Sequence, residues 1–158
     1  MKFSIKSPEK LSGCVVLPAS KSISNRALIV DALGNMAHGM AGRKACGVRN
    51  ISDCDDTRVM LKALGEDAPV VDIMAAGTAM RFLTAYYAAT EGCVKTMTGT
   101  ERMQHRPIRI LVDALRQLGA RITYVKDEGY PPLLVEGCPL EEKEVALQGS
   151  VSSQYISA

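Results

Sequence analysis

"VVDIMAAGTAMRFLTAYYAATEGCVKTMTGTERMQHRPIRILVDALRQLGARITYVKDEGYPPLLVEG", residues 70–137, carries a fixed order of structural signals. "VVDIM", 70–74, is a short apolar run of strand type, and "AGTAMRFLTAYYAATEG" is a helix entered through Gly77. "CVKTMTG", 93–99, reads as a second strand. "RPIRILVDALRQLGA" follows as a helix with Pro107 at a favourable first-turn position and Gly119 at its exit. "RITYVKDEGYPPLLVEG" alternates apolar and polar residues around Asp127, Glu128 and Gly129, the pattern of a hairpin. The order is βαβαββ, an α/β fold class.

Working outward, "GCVVLP" at 13–18 reads as a short buried strand. The next helix is capped by Ser24, turns Leu28, Ile29, Ala32 and Leu33 inward, and ends at Gly34. A strand is expected near Cys46 to Ile51, and "SDCDDTRVMLKALG" starts a further helix on Asp residues and stops it at Gly65. "IVDALG" at 29–34 and "LVDALRQLG" at 111–119 fall at the matching ends of helices in two successive segments. This suggests an internal repeat whose first copy has lost its hairpin to the link "EDAP". The tail "EVALQGSVSSQYISA" opens a third copy with a strand, a Ser-rich turn and the start of a helix whose Tyr155 and Ile156 seek a partner. The expected units are 13–69, 70–139 and 140–158, and a stop inside a helix suggests a fragment of a longer protein.

Composition sets outer limits. With 158 residues, 47% hydrophobic and 23% charged, the chain is long enough for an ordinary core. A net charge of +2 is too small to argue for nucleic acid or an anionic membrane as partner. Five cysteines form no C-x-x-C pair, and His38 and His105 are the only imidazoles, which speaks against a zinc site or a disulfide framework. No apolar leader and no run of about 20 apolar residues occurs, so the expectation is a soluble, cytoplasmic protein without metal or cofactor.

Any anion binding must then be local, and three strand-to-helix turns share a design suited to it. "ASKSIS" supplies Lys21 and Ser22, "AAGTAMR" supplies backbone N–H groups at Gly77 and Thr78, and "GSVSSQ" supplies Ser152, Ser153 and Gln154. Unsatisfied N–H groups and the helix dipole favour an anion at such ends, and Gly77 permits close approach. Arg26 and Arg81 lie one turn inside their helices and Arg106 stands before Pro107. An Arg grips a carboxylate or phosphate through two parallel hydrogen bonds, so the set suits a small polyanion. Each residue alone has a plainer reading: a helix Arg in a surface salt bridge, capping for Ser24, Ser152 and Ser153, packing for Gly77, a surface position for His105, and a helix cap for Asp53, Asp55 and Asp56.

The runs "LPASKSISNRAL", "AGTAMRFLTA", "RPIRILVDALRQLGA" and "GSVSSQYISA" together closely resemble, in order, the amino-terminal part of the EPSP synthases. The resemblance implies repeated βαβαββ units of an inside-out α/β barrel, one incomplete domain of two, with residues 1–12 crossing to the other domain. It implies transfer of the enolpyruvyl group of phosphoenolpyruvate to shikimate 3-phosphate, in chorismate and aromatic amino-acid biosynthesis, by a monomeric enzyme that glyphosate targets. Lys21 would lie between the substrates, Ser22 and Arg26 at the carboxylate side of shikimate 3-phosphate, and Ser152 and Ser153 at its phosphate. Gln154 would lie against its ring near the second substrate, and Gly77 and Arg106 would contact phosphoenolpyruvate. The family's acid/base carboxylates belong to a carboxy-terminal domain, so no catalytic residue is assigned here, and the chain alone is expected to bind substrate without turnover. Ala75 and Phe82 depart from the family's usual Asn and Pro. A stand-alone binding module for shikimate 3-phosphate is the alternative. The UDP-N-acetylglucosamine enolpyruvyl transferases fit less well, because Ser22 rather than Asn follows Lys21 and no Cys lies in a Gly-rich loop.

Overall fold

The structure, a computed structural model, describes residues 3–7, 9–10, 12–37, 47–147, 150 and 152–158. Two helices come first, α1 (Lys21–Ala37) and α2 (Asp55–Gly65). Then follow β1 (Val70–Asp72), α3 (Gly77–Ala89), β2 (Val94–Thr98), the short α4 (Glu101–Gln104), α5 (Arg109–Gln117), β3 (Arg121–Tyr124) and β4 (Leu133–Glu136). A last turn of helix, α6, spans Ser153–Ser157.

The four strands form one sheet in the order β1-β2-β4-β3. β1 and β2 are parallel, with Val71 opposite Met97, because α3 carries the chain back to the same edge. β4 is antiparallel to β2 and to β3, with Val135 opposite Lys95 and Ile122. Ile73, Met97, Leu133 and Val135 from the strand segments meet Leu83 of α3 and Val112 of α5, all of them fully buried. Gly119 ends α5 at φ +92°, a conformation with little penalty for glycine. The βαβαββ order expected for 70–137 is therefore what forms, with α4 inserted where the Thr100 hydroxyl caps the Met103 N–H.

The α1 and α2 pair packs on α3. The Tyr87 hydroxyl donates to Ala63 O at 2.8 Å, and burial pushes its phenol well above the ordinary range. Lys95 points inward from β2, and its buried ammonium donates to Asp67 Oδ1 at 2.5 Å and Ala68 O at 2.8 Å. The link from α2 to β1 is thus pinned by a residue of β2. This hydrogen bond and the Lys95 charge hold the Asp67 carboxyl below its ordinary value. A depressed folded-state value means that the pair's stabilisation is present above pH ~4 and is lost as pH falls through the folded value. Asp67→Asn is expected to lower the melting temperature slightly at pH 7, with the difference closing as pH falls below the ordinary carboxylate range of ~4. A gap that stays constant between these pH values would remove the ion pair as its cause.

Several expectations differ from the structure for physical reasons. Residues 13–17 are extended and exposed, with Val16 90% accessible, because no described strand lies beside them to pair with. Residues 47–51 and 144–147 are not strands either, while Cys46 and Gln148, Gly149 and Val151 lie outside the described residues. Ser20, not Ser24, receives an N–H at the start of α1, from Ile23 at 3.4 Å. Ser24 is buried instead and accepts the Ser52 N–H at 2.9 Å. Gly34 does not stop α1, whose last turn continues to Met36, where Sδ accepts from the Thr90 hydroxyl at 3.5 Å. Pro107 precedes α5 by two residues rather than joining its first turn.

Candidate functional site

The first turn of α3 is where Gly77, Arg106 and Gln154 of the sequence-predicted residues meet. It is reached through a tight turn: Asp72 Oδ1 accepts the Met74 N–H at 2.8 Å, and Met74 has φ +52°. A non-glycine residue held there is strained by about 1–2 kcal/mol. Met74 O in turn accepts the Thr100 N–H at 3.0 Å, which stitches the β1–α3 turn to the start of α4.

Gly77 opens α3, and the Arg106 guanidinium lies directly on it. A Cβ at Gly77 would collide with Arg106 Nη1 and stand 2.9 Å from Cζ, so only glycine lets this guanidinium sit where it does. Gln154 of α6 approaches from the other side, donating Nε2 to the Thr78 hydroxyl at 3.2 Å. Ser152 caps α6 by accepting the Gln154 N–H at 3.2 Å, and Ser153 is exposed, with its carbonyl accepting from Ser157 Oγ at 3.0 Å.

Arg26 of α1 meets α3 one turn further along and also reaches α6. Its Nη1 donates to Ser22 O at 3.2 Å and its Nη2 to Ser157 Oγ at 3.1 Å, while Cζ stands 5.3 Å from the centre of the Phe82 ring. Phe82, a departure in sequence, thus supplies a face on which the guanidinium rests. Lys21 is held apart from this group: its Nζ stands 3.3 Å from Asp56 Oδ2 in the first turn of α2. Asp56 lines a cleft of about 510 Å³ together with Asp55, Met74, Ala75, Ala76 and Thr100. A second cleft, of about 440 Å³, shares Ala75 and Thr100 and continues to Arg102 and Arg106. Ala75, the other departure, leaves room at the junction of the two.

The structure thus brings Gly77, Arg106 and Gln154 together at the start of α3, while Arg26, bonded to Ser22 O, meets Phe82 one turn further along and Ser157 of α6, Ser152 and Ser153 bond within α6, and Lys21 stands with Asp56. Arg81 has a different fate from the other arginines. It is 6% accessible, donates Nη1 to Gly77 O at 2.8 Å and Nη2 to the Tyr155 hydroxyl at 3.3 Å, and rests on the Tyr155 ring. It supports the turn from behind and is not free to grip a ligand. Of the acidic cluster, Asp53 and Asp55 pair with Arg58 at 2.7 and 3.4 Å, whereas Asp56 faces Lys21. Asp56, Thr78 and Tyr155 are visible in the sequence as a cap, a backbone donor and an apolar residue, but their side-chain partners are not: Lys21 lies 35 residues before Asp56, Gln154 meets the Thr78 hydroxyl and Arg81 meets the Tyr155 hydroxyl across long stretches of chain. Beside them, Cys54 precedes α2; burial acts to raise its thiol, but hydrogen bonding to Thr57 and Ser52 outweighs this and leaves it below its ordinary value.

Among the described residues, no carboxylate lies within ion-pair distance of Arg26, Arg81 or Arg106. Arg81 is buried and Lys21 is paired with Asp56, whereas Arg106 is exposed at the start of α3, where helix-start N–H groups and a guanidinium without such a carboxylate together favour an anion. His105, beside it, is exposed and bonded through Nδ1 to Glu101 O at 2.8 Å, which fits a surface residue.

Comparison with known proteins gives this geometry its context. A 3-phosphoshikimate 1-carboxyvinyltransferase of Bacteroides fragilis is 56% identical over 158 residues, covering 100% of this chain and 36% of that protein. One of Pseudoalteromonas atlantica is 39% identical over 94% of this chain and 38% of its own length. The chain thus spans a little over a third of these relatives. An EPSP synthase structure from Acinetobacter baumannii superposes with a TM-score of 0.72 at 23% identity, over 92% of this chain and 37% of that one, a likeness of fold. Since the model of EPSP synthase, 3-phosphoshikimate 1-carboxyvinyltransferase, matches residues 5–68 and 66–158, nearly every residue discussed above falls within it, and the chain belongs to the EPSP synthase family.

Proposed function

We propose that this chain supplies the amino-terminal share of an enolpyruvyl transfer site, holding shikimate 3-phosphate against Ser22, Arg26, Ser152, Ser153 and Gln154 and phosphoenolpyruvate against Gly77 and Arg106, with Lys21 between them. The observation that carries the reading is the placement of the Arg106 guanidinium on Gly77, with Gln154 on the neighbouring Thr78 and no acidic partner for Arg106 among the described residues. Family membership supplies the two substrates. The remaining length of the relatives would supply the acid/base carboxylates and close the cleft.

The chemistry is consistent with these residue types. Two like-charged molecules must be brought into contact before a carbocation-like centre forms on the enolpyruvyl carbon. Fixed cations and helix-start N–H groups offset the repulsion, and positioning lowers the entropic part of the barrier. Ser152 and Ser153 present hydroxyl and N–H donors of the kind that a phosphate takes, and Arg26 presents a fork for a carboxylate. Lys21 is tied to Asp56 at a half-exposed site, so an arriving anion competes with a single weak pair.

Calorimetric titration of the chain tests this directly. Shikimate 3-phosphate is expected to bind with a dissociation constant on the order of 0.1–1 mM, and shikimate, which lacks the phosphate, at least about tenfold more weakly. Absence of binding at millimolar shikimate 3-phosphate, in a sample with native circular dichroism, would refute the proposed site.

A further inference from the structure

We propose that Tyr155 is a positioning residue that couples the two ligand-facing turns, so that an anion on Ser152–Gln154 also sets the placement of Arg106 against Gly77. The inference rests on the site reading above and extends it. Tyr155 follows Gln154 directly and is 3% accessible. Its hydroxyl donates to Pro107 O at 2.8 Å, in the residue that follows Arg106. The same oxygen accepts from Arg81 Nη2, and Arg81 Nη1 donates to Gly77 O at 2.8 Å. The Arg81 guanidinium also lies over the Tyr155 ring, with Cζ 4.8 Å from its centre. One phenol therefore touches the segment that carries Arg106 and the group that braces Gly77.

Two features make this junction responsive rather than merely filled. The α6 helix has five residues, too few to hold itself, so its position depends on tertiary contacts such as those of Tyr155 and Gln154. Arg81 is buried, its Nε has no hydrogen-bond partner, and no carboxylate pairs with it among the described residues. The phenol oxygen is thus one of few groups answering a buried charge, and its displacement is costly. A ligand that orders α6 holds the phenol in place, and through it Gly77 O and the Arg106–Pro107 segment. The coupling is reciprocal, as any linkage between two sites must be.

The test titrates the isotopically labelled chain with shikimate 3-phosphate and follows amide resonances, using Tyr155→Phe to keep the ring and remove the hydroxyl. In the unchanged chain, resonances of Ser153, Gln154, Gly77, Arg106 and Ile108 are expected to move together. In Tyr155→Phe, the movements at Arg106 and Ile108 should fall to less than about a third, with affinity altered by no more than roughly threefold. Arg81→Lys keeps the charge and loses the bond to the phenol, so the ligand-induced movement at Gly77 should fall by a similar factor; it serves as the second variant if Tyr155→Phe is poorly folded. Equal movements at Arg106, Ile108 and Gly77 in the unchanged chain and the variants would overturn the coupling while leaving the site reading intact. Absence of ligand-induced movement at Ser153 and Gln154 in the unchanged chain would instead overturn the site reading, and the coupling with it.

Discussion

Arg106→Ala is expected to lower kcat/KM for phosphoenolpyruvate by about 10²- to 10⁴-fold, with little change in melting temperature. The estimate follows from a fork of two charge-assisted hydrogen bonds, each worth about 1.5–3 kcal/mol, and from a factor of ten per ~1.4 kcal/mol. Stability is spared because the Arg106 side chain is exposed, forms no ion pair among the described residues, and only rests on a glycine. Its backbone N–H, which donates to Met103 O at 3.0 Å, is kept in the variant. The measurement needs a complete enzyme, which a chimera provides when this chain replaces the matched amino-terminal part of the Bacteroides fragilis relative. Arg106→Lys, which retains the charge and loses the fork, should fall between the two. An unchanged kcat/KM, or a loss that tracks unfolding, would end the assignment of Arg106.

That prediction rests on a site only partly legible in the sequence, and the reasons are physical. The turns "AGTAMR" and "GSVSSQ" announce themselves because helix starts, glycine and hydroxyl residues are local signals. What fills the space between turns is not local. Lys21 meets Asp56, Arg26 meets Ser157 and Phe82, and Arg81 meets Tyr155 across long stretches of chain, so no spacing rule reveals them. Arg81 shows the consequence: grouped with the ligand-binding arginines by its place in a helix, it is consumed inside the fold.

The fold divides in the same way. Residues 70–137 are legible because each element carries its own marks: apolar periodicity in the helices, Gly119 with positive φ after α5, and an alternating hairpin. The strands expected before residue 70 depend on pairing instead. Val15, Val16 and Leu17 are good strand formers, yet a strand exists only beside another strand, and none among the described residues lies there. Ser24 shows the limit within a helix, since it has the right type for a cap but is drawn inward by the Ser52 N–H. Gly34 is a stop signal overridden when α1 gains contacts in its final turn.

The largest loss of stability is expected at a position with no part in the site, Gly137→Ala. Gly137 follows β4 where the chain crosses the end of α3, its N–H donating to Cys93 O at 2.7 Å and its carbonyl accepting the Gly92 N–H at 3.3 Å. A Cβ there would overlap Thr90 O and stand 2.6 Å from Tyr87 O. Both obstacles are backbone carbonyls at the close of α3, where the Thr90 N–H caps Tyr87 O, so relief requires moving the helix end or the strand. Overpacking of this kind costs about 1–3 kcal/mol, and each backbone hydrogen bond broken adds about 1 kcal/mol, for a total of roughly 3–5 kcal/mol. At about 2–4 °C per kcal/mol for a chain of this size, the melting temperature should fall by roughly 6–20 °C. Gly34→Ala is the internal control with the opposite sign. Nothing lies within 4 Å of a Cβ at Gly34 inside α1, so alanine should stabilise the chain by about 0.5–1 kcal/mol. Thermal and urea unfolding of both variants decides the matter: a Gly137→Ala melting temperature within about 2 °C of the unchanged chain would mean that the close of α3 yields where its backbone contacts say it cannot.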